Sequence, residues 1–195
     1  MTSAIQVAIR NQIQASIVVK QVMLENQQII SQIEALANIC LSVLNSGGKI
    51  IFAGNGGSFA DAQHLSAEFT SRFLFDRAPL ASLALGTNNS AMSAIGNDYG
   101  YDQVFARELN GIAKLGDVFI PISTSGNSPS ILAAVAVAKE MGLDTIALTG
   151  ASGGALKSMC ECLCIPSTDT ARIQECHIMA GHILCELVEV QYFKR

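Results

Sequence analysis

Residues 123–129, Ser-Thr-Ser-Gly-Asn-Ser-Pro, form a hydroxyl-rich segment between an apolar run (117–122) and a helical pattern (129–141). This order predicts a strand that ends in a loop at the start of a helix. Unpaired backbone N–H groups and the helix dipole favour an anion at such a place, and several hydroxyls suit the oxygens of a phosphate. The same residues are also typical of an ordinary turn, with Ser128 as the N-cap and Pro129 at the first helical position.

A second loop, Gly-Asn-Gly-Gly-Ser at residues 54–58, follows the apolar run 49–53. Glycines allow the backbone to approach a ligand closely and to adopt a positive φ, while the side chains of Asn55 and Ser58 offer hydrogen bonds to a polyol. The loop has neither the G-x-G-x-x-G spacing of dinucleotide-binding proteins nor the Walker lysine, which disfavours a nucleotide ligand. An ordinary tight turn is the alternative interpretation.

Two predicted helices carry histidine together with a carboxylate or an amide. His64 and Glu68 are four residues apart, and Ile178 lies midway between Gln174 and His182; residues four apart share one face of a helix. Two imidazoles, a carboxylate and an amide oxygen suit a divalent metal, and they also suit acid–base catalysis. A single histidine is more often a surface residue or a hydrogen-bonded core residue, but the glycine and serine loops favour the functional interpretation.

The order of the predicted elements places these residues. Residues 4–45 have helical periodicity, and we expect a helical arm for oligomerisation over 1–46 and one compact unit over 47–195. In that unit, five β-type runs alternate with helices, the last of which covers 170–193. This predicts an α/β fold with a doubly wound, parallel five-stranded sheet, whose ligands lie beyond the carboxyl ends of the strands. The runs cover 50–53, 81–85, 118–122, 145–149 and 162–165, and the apolar stripe of the arm comprises Ile30, Ile33, Leu36, Ala37, Cys40, Leu41 and Leu44.

The composition narrows the class of protein. The chain has 195 residues, of which 50% are hydrophobic and 14% charged, which suits one domain with a large core and apolar surface covered by other subunits. A net charge of −4 gives no general basic surface for nucleic acid. No run approaches the length of a membrane span, and the polar N-terminus lacks the apolar core of a signal peptide. We therefore expect a cytoplasmic protein with neither nucleic acid nor membrane as a partner.

The six cysteines predict neither a disulfide framework nor a metal site. The chain is too large and too rich in ordinary core residues to need disulfides. Cys160, Cys162 and Cys164 alternate along a predicted strand and lack the two-residue gap of paired metal ligands. We expect all six to be small buried hydrophobic residues; the other three, in helical patterns, are Cys40, Cys176 and Cys185.

Taken together, the motifs resemble those of the phosphoheptose isomerases, the sedoheptulose 7-phosphate isomerases of the sugar-isomerase (SIS) family. The resemblance covers nearly the whole chain in order, through residues 54–58, 61–64, 96–98, 123–128, 171–175 and His182. It implies a flavodoxin-like fold, a homotetramer and active sites built at subunit interfaces. It also implies conversion of sedoheptulose 7-phosphate to D-glycero-D-manno-heptose 7-phosphate, the first step of ADP- or GDP-heptose synthesis for lipopolysaccharide or other surface glycans.

The resemblance also assigns roles to individual residues. It implies one Zn²⁺ per subunit, with His64, Glu68, Gln174 and His182 as ligands. The implied substrate contacts are Asn55, Gly56, Gly57, Glu68, Asn97, Asp98, Ser123, Thr124, Ser125, Ser128 and Gln174, with Ser58 and Arg72 in support. We expect Glu68 to take the proton from the carbon next to the carbonyl, giving an enediol, and His182 to serve the oxygens. This chain has Ala171 where some members of the family have aspartate, with Asp169 two residues earlier.

Two alternatives from other classes share the SIS fold. One is a tetrameric, non-enzymatic adaptor that binds the replication initiator DnaA; that branch lacks a histidine at the position of His182 and departs from the intact loop at 54–58, so this chain favours the enzyme. The other is a regulator that senses a sugar phosphate, which would need a DNA-binding module. The arm shows no helix-turn-helix or basic signature of such a module.

Overall fold

In the computed structural model, which describes residues 3–194, five parallel strands form one sheet in the order β2-β1-β3-β4-β5. This is the flavodoxin-like order, and the prediction of a doubly wound parallel sheet is confirmed. All five predicted strands are present, with small shifts at their ends. They are β1 (Ile50–Gly54), β2 (Ser82–Ala84), β3 (Val118–Ser123), β4 (Asp144–Thr149) and β5 (Glu161–Cys164).

Seven α-helices accompany the strands within residues 3–194. They are α1 (Ala4–Glu25), α2 (Gln27–Asn45), α3 (Gly57–Thr70), α4 (Asn89–Tyr99), α5 (Val104–Ile112), α6 (Pro129–Glu140) and α7 (Thr170–Tyr192). Two short 3₁₀ segments lie at Tyr101–Gln103 and Gly154–Ser158. None of the helices in this part of the chain has both the length and the apolar character needed to cross a bilayer.

The helices cover both faces of the sheet, which explains why β1 and β3 are buried along their whole length. Ile50 and Phe52 of β1 belong to a core shared with α2, α3 and α7. Ile51 and Ala53, which alternate with them, belong to a second core shared with α5 and α6. The sheet thus lies between two apolar layers.

The predicted helical arm consists of two helices, because Asn26 interrupts it. The side chain of Asn26 accepts hydrogen bonds from the backbone N–H groups of Gln28 and Ile29 and so caps α2. The buried stripe of α2 also differs from the predicted one, since Ile30 is exposed and Leu41 is half-buried. Its buried residues are Ile29, Ile33, Leu36, Ala37, Cys40, Val43 and Leu44, which join the core above the sheet. The division of the chain at residue 46 stays a prediction, and its outer limits at residues 1 and 195 lie outside the described part.

Helix α1 differs from α2 in burying almost none of its apolar side chains. Met23 is its one fully buried residue. Its exposed apolar residues are Ile5, Val7, Ile9, Ile13, Ile17, Val18, Val22 and Leu24. An exposed apolar surface of this extent is typical of a face that contacts another chain.

The prediction that all six cysteines are buried is wrong for three of them. Cys40, Cys176 and Cys185 are buried among helices, whereas Cys160, Cys162 and Cys164 are half-buried and line a cleft. The reason is that β5 is an edge strand with one neighbour, so it is covered less completely than the central strands. All six thiols are free.

A buried ion pair fixes the segment that follows α3. The guanidinium of Arg77 donates from Nε to Oε1 of Glu189 (2.8 Å), and both side chains are almost fully buried. Glu189 also accepts the backbone N–H groups of Phe73 (2.8 Å) and Leu74 (2.6 Å). Burial alone would raise the pKa of Glu189, but these hydrogen bonds and the charge of Arg77 outweigh burial and hold that pKa below its ordinary value.

We expect Glu189→Gln to lower the free energy of unfolding by about 3–5 kcal/mol, because it leaves a buried guanidinium without its counter-charge. Glu186→Gln, at an exposed position on the same helix, is the matched control and should change stability by less than about 0.5 kcal/mol. Urea unfolding followed by circular dichroism measures both. Since the folded pKa of Glu189 is lowered, its contribution should be complete above the unfolded pKa and lost as the pH falls through the folded one. Equal stability of the two variants would contradict the assignment.

Candidate active site

The glycine loop (residues 54–58) and the serine loop (residues 123–128) lie side by side. Strands β1 and β3 are hydrogen-bonded neighbours, and Gly54 pairs with Ile122 in their register. Because the strands are parallel, both loops leave the sheet at its carboxyl edge, where ligands bind in folds of this type. The sheet therefore brings together two predicted ligand-binding loops that are about 70 residues apart in the chain.

The glycine loop is shaped for a close approach of α7. Gly56 has a φ of +57°, a value that favours glycine over other residues. At Gly57, a Cβ atom would lie 2.7 Å from Nε2 of Gln174, so only glycine leaves room for this amide. Gln174 thus lies against the start of α3, and Ser58 is buried in the first turn of that helix.

Asn55 connects the glycine loop to two other segments. Its Nδ2 donates to Oγ of Ser128 (2.9 Å) and to Oγ of Ser130 (3.0 Å), while its Oδ1 accepts from the hydroxyl of Tyr101 (2.8 Å). Sequence reasoning missed Ser130 and Tyr101. No spacing signal marks them, since these contacts join loops that are distant in the chain.

The serine loop adopts the predicted position between β3 and α6. Ser128 is at the N-cap and Pro129 at the first helical position, but the Ser128 side chain makes no capping hydrogen bond. The alternative interpretation is therefore confirmed for the positions of both residues but wrong for the capping hydrogen bond, since the Ser128 hydroxyl is hydrogen-bonded to Asn55. Ser123 is buried at the end of β3, while Ser125 is exposed and accepts the backbone N–H of Asn127.

A cavity of about 270 Å³ adjoins this loop. Its walls are mostly uncharged polar groups, whose hydroxyl and amide groups can hydrogen-bond a polyol. They are Thr124, Ser125, Asn127, Gly150, Ala151, Ser152, Ser167, Thr168, Thr170 and Ile173. Of the predicted substrate contacts, Thr124 and Ser125 therefore share one cavity.

His64, Glu68 and His182 converge at the surface between α3 and α7. Nε2 of His64 lies 3.0 Å from Oε1 of Glu68 and 3.4 Å from Nε2 of His182. The close packing of the helices makes this possible: a Cβ atom at Gly181 would overlap the side chain of Leu65. The ring of Phe73 lies beside that of His182, with 5.6 Å between centroids.

These three side chains fit a metal ion. Their ligand atoms all lie within 4.8 Å of one another. Tetrahedral Zn–N bonds of 2.0–2.1 Å would separate two nitrogens by about 3.3 Å, close to the 3.4 Å between the two imidazoles. Gln174 is on the same helix as His182, two turns earlier, and its amide oxygen is the predicted fourth ligand.

Three predicted substrate contacts lie apart from the rest. Asn97 and Asp98, at the exposed end of α4, are hydrogen-bonded to each other (2.8 Å). Arg72 is exposed just after α3. Within residues 3–194, none of the three makes a hydrogen bond or ion pair with the other predicted contacts.

Asp169, His177 and Glu175, at or near the start of α7, make hydrogen bonds or ion pairs within the protein. Asp169 caps α7 by accepting the backbone N–H of Ala171 (2.8 Å), so its carboxylate supports the helix start. His177 is fully buried and hydrogen-bonded to the carbonyl of Thr149 (3.1 Å); burial lowers its pKa to about 4, which keeps it neutral at pH 7. Glu175 pairs with Arg172 (2.7 Å).

Comparison with known proteins identifies the family. The model of the SIS domain matches residues 14–150. The phosphoheptose isomerase of Aneurinibacillus thermoaerophilus is 50% identical over 187 residues, which cover 95% of this chain and 94% of that protein. Phosphoheptose isomerase 2 of Campylobacter jejuni is 49% identical, over 91% of this chain and 89% of that protein.

Solved structures agree with these relatives. A phosphoheptose isomerase from Neisseria gonorrhoeae superposes with a TM-score of 0.88 at 40% identity, covering 95% of this chain and 98% of that one. A phosphoheptose isomerase from Francisella tularensis superposes with a TM-score of 0.89 at 36% identity, covering 97% of this chain and 99% of that one. The chain therefore belongs to the SIS-domain family and, within that family, to the phosphoheptose isomerases.

Proposed function

We propose that this chain interconverts sedoheptulose 7-phosphate and D-glycero-D-manno-heptose 7-phosphate. The observation that carries the proposal is that His64, Glu68 and His182 lie close together in a chain that also has the glycine and serine loops. An aldose–ketose isomerisation moves one proton between adjacent carbons and another between their oxygens, so it needs both a base and an acid. Two imidazoles and a carboxylate supply these groups. No observation favours the initiator-binding alternative.

Glu68 is the proposed base. Its Oε1 faces His64, while Oε2 makes no hydrogen bond within residues 3–194, which leaves one oxygen to take the proton from the carbon next to the carbonyl. His182 then protonates the negatively charged oxygen of the resulting enediolate, which gives the enediol, and removes the proton of the other oxygen. The carbon proton returns from Glu68 to the neighbouring carbon, which completes the exchange.

The same side chains, with Gln174, are the proposed ligands of one Zn²⁺ per subunit. Zinc bound there would supply a Lewis acid that polarises the substrate carbonyl and stabilises negative charge on the enediol oxygens. The ligand types, two imidazoles with a carboxylate and an amide oxygen, suit this ion.

The serine loop is the proposed anchor for the phosphate, and the proposed substrate contacts follow the residues assigned by resemblance. Ser123, Thr124, Ser125 and Ser128 bring hydroxyls to the start of α6, where backbone N–H groups favour an anion. Binding energy gained at the phosphate, remote from the reacting carbons, orients those carbons against Glu68 and His182.

We expect Glu68→Gln to lower kcat by about 10²- to 10⁴-fold, the usual contribution of a positioned base. Glutamine keeps the size of the side chain and an oxygen ligand but cannot accept the proton. Conversion of sedoheptulose 7-phosphate measures the effect, and Glu186→Gln, exposed one turn after His182, is the control. Turnover near that of the unchanged protein would refute the role of Glu68.

We also expect chelator-treated protein to bind about one Zn²⁺ per chain and to gain about 2.7 kcal/mol of stability at zinc concentrations 100-fold above Kd. Elemental analysis and thermal unfolding measure these quantities without any turnover. His182→Gln should weaken both effects. The control variant C160S/C162S/C164S should retain them, because these half-buried thiols do not belong to the cluster of His64, Glu68 and His182. Zinc binding that survives in His182→Gln and disappears in the thiol variant would contradict the assignment.

The apolar face of α1 is proposed to be buried against neighbouring subunits. Ile9, Ile13 and Ile17 repeat every four residues and are more than half exposed, so they form one unpaired stripe. A homotetramer would bury that stripe and would bring residues of other subunits towards Arg72, Asn97 and Asp98. We therefore propose a homotetramer with active sites at subunit interfaces.

Ile13→Asp should reduce the tetramer to smaller species at micromolar concentration, because a charge at the centre of the stripe opposes its burial. Asn11→Asp places the same charge about 200° around the helix and should leave the assembly intact. Sedimentation velocity distinguishes the two results. A tetramer that persists in Ile13→Asp would show that this stripe is not the interface.

The reaction is proposed to occur in the cytoplasm, as the first step of ADP- or GDP-heptose synthesis for surface glycans. The support is family membership and the composition of the chain.

A further inference from the structure

Tyr101 begins a chain of hydrogen bonds that ends at the serine loop. Its hydroxyl donates to Oδ1 of Asn55 (2.8 Å), and Nδ2 of Asn55 donates to Oγ of Ser128 (2.9 Å) and Ser130 (3.0 Å). Tyr101 belongs to the 3₁₀ segment between α4 and α5, while Ser128 and Ser130 lie at the start of α6. The chain therefore ties together three segments that approach the same edge of the sheet.

Asn55 has no side-chain donor left for a ligand. An asparagine amide carries two N–H donors, and both are engaged by Ser128 and Ser130. Ser130 is almost fully buried, so its bond to Asn55 lies inside the protein. The side chain of Asn55 thus serves as a connector, and donation from Asn55 to a ligand falls to its backbone N–H.

The direction of these hydrogen bonds matters for an anion. Asn55 donates to Oγ of Ser128, so that hydroxyl accepts a hydrogen bond on its protein side. Oγ of Ser128 also lies 3.3 Å from Oγ of Ser130, and either hydroxyl can donate in this pair; with Ser130 as the donor, Ser128 keeps its proton for another partner. A phosphate oxygen accepts such a proton. If the amide were reversed, Ser128 would donate to Asn55 and would turn lone pairs towards the anion, which is repulsive.

Tyr101 selects the favourable direction. A phenol is more acidic than a serine hydroxyl and is the stronger donor, so it favours the carbonyl oxygen of Asn55 over the amide nitrogen. With the carbonyl held by Tyr101, the amide N–H groups point at Ser128 and Ser130. Hydrogen bonds in a chain also polarise and strengthen one another when each group accepts from one neighbour and donates to the next.

We propose that Tyr101 is a positioning residue of the phosphate site: through Asn55 it orients the hydroxyl of Ser128 as a donor to the phosphate of the substrate. This inference rests on the proposed function, since it takes the serine loop as the phosphate anchor. It adds Tyr101, on a segment outside both loops, to the residues assigned by resemblance.

The test is Tyr101→Phe, which removes one oxygen from a half-exposed side chain. We expect KM for sedoheptulose 7-phosphate and the inhibition constant of inorganic phosphate each to rise about three- to ten-fold, the effect of losing one neutral hydrogen bond. The value of kcat should change by less than about two-fold, because Ser123, Thr124 and Ser125 still hold the phosphate that orients the reacting carbons. The melting temperature should match that of the unchanged protein.

Tyr99→Phe is the matched control. Tyr99 is as exposed as Tyr101, and the guanidinium of Arg107 lies 3.6 Å from its ring centroid, a contact that phenylalanine keeps. Its hydroxyl makes no hydrogen bond within residues 3–194, so the control should leave both constants unchanged.

Two results would overturn the inference. One is a Tyr101→Phe protein with the same KM and phosphate inhibition as Tyr99→Phe. The other is a protein with a lowered melting temperature and unchanged phosphate inhibition, which would assign the hydroxyl to the fold alone.

Calorimetric titration with inorganic phosphate separates this inference from the proposed function. A protein that binds phosphate without turnover refutes the isomerase, while the comparison of Tyr101→Phe with Tyr99→Phe still decides the role of Tyr101.

Discussion

The pairing of β1 with β3 is the constraint on which the site depends. All five residues of β1 are paired with β3, from Ile50 with Val118 to Gly54 with Ile122, and both strands are buried along their length. A slip of one residue would move one loop by about 3.3 Å along the strand and turn every side chain of that strand to the opposite face. The two apolar layers forbid such a slip, so the cores that stabilise the sheet also fix the distance between the loops.

A second constraint is the contact between α3 and α7, which determines the positions of the reacting side chains relative to one another. Gly181 lets the helices approach at Leu65, and His64 and His182 are the chain neighbours of these two contact residues. The buried Arg77 supports the other end of α3, because its Nη2 donates to the backbone carbonyl of Glu68 (2.8 Å). An ion pair of this kind stabilises only when its polar atoms are satisfied, and both oxygens of Glu189 accept hydrogen bonds. The stability of the fold and the position of Glu68 thus both depend on the ion pair of Arg77 with Glu189.

The sequence predicts the elements that carry local signals. Five β-type runs, the two loops and the shared face of His64 and Glu68 all follow from spacing within short segments. It does not predict contacts between segments that are distant in the chain, such as Tyr101 with Asn55 or Arg77 with Glu189, because no local periodicity encodes them. The exposure of Cys162 depends on β5 being an edge strand, and the role of the Ser128 hydroxyl depends on Asn55. In both cases tertiary contacts override a local rule. Cysteine side chains are usually buried, and serine at an N-cap usually hydrogen-bonds the helix backbone.

The two ends of the site differ in how firmly the protein holds them, and the proposed reaction explains this difference. At the serine loop, Ser128 and Asn55 are hydrogen-bonded within the protein before any ligand arrives, so little freedom remains to be lost when a phosphate binds. At the other end, Oε1 of Glu68 and Nε2 of His182 are each hydrogen-bonded only to Nε2 of His64 within residues 3–194. Groups that exchange protons must change partners during each turnover, and a fully satisfied network would oppose that change. A rigid anchor beside a less constrained acid–base group is the arrangement that an isomerisation of this kind requires.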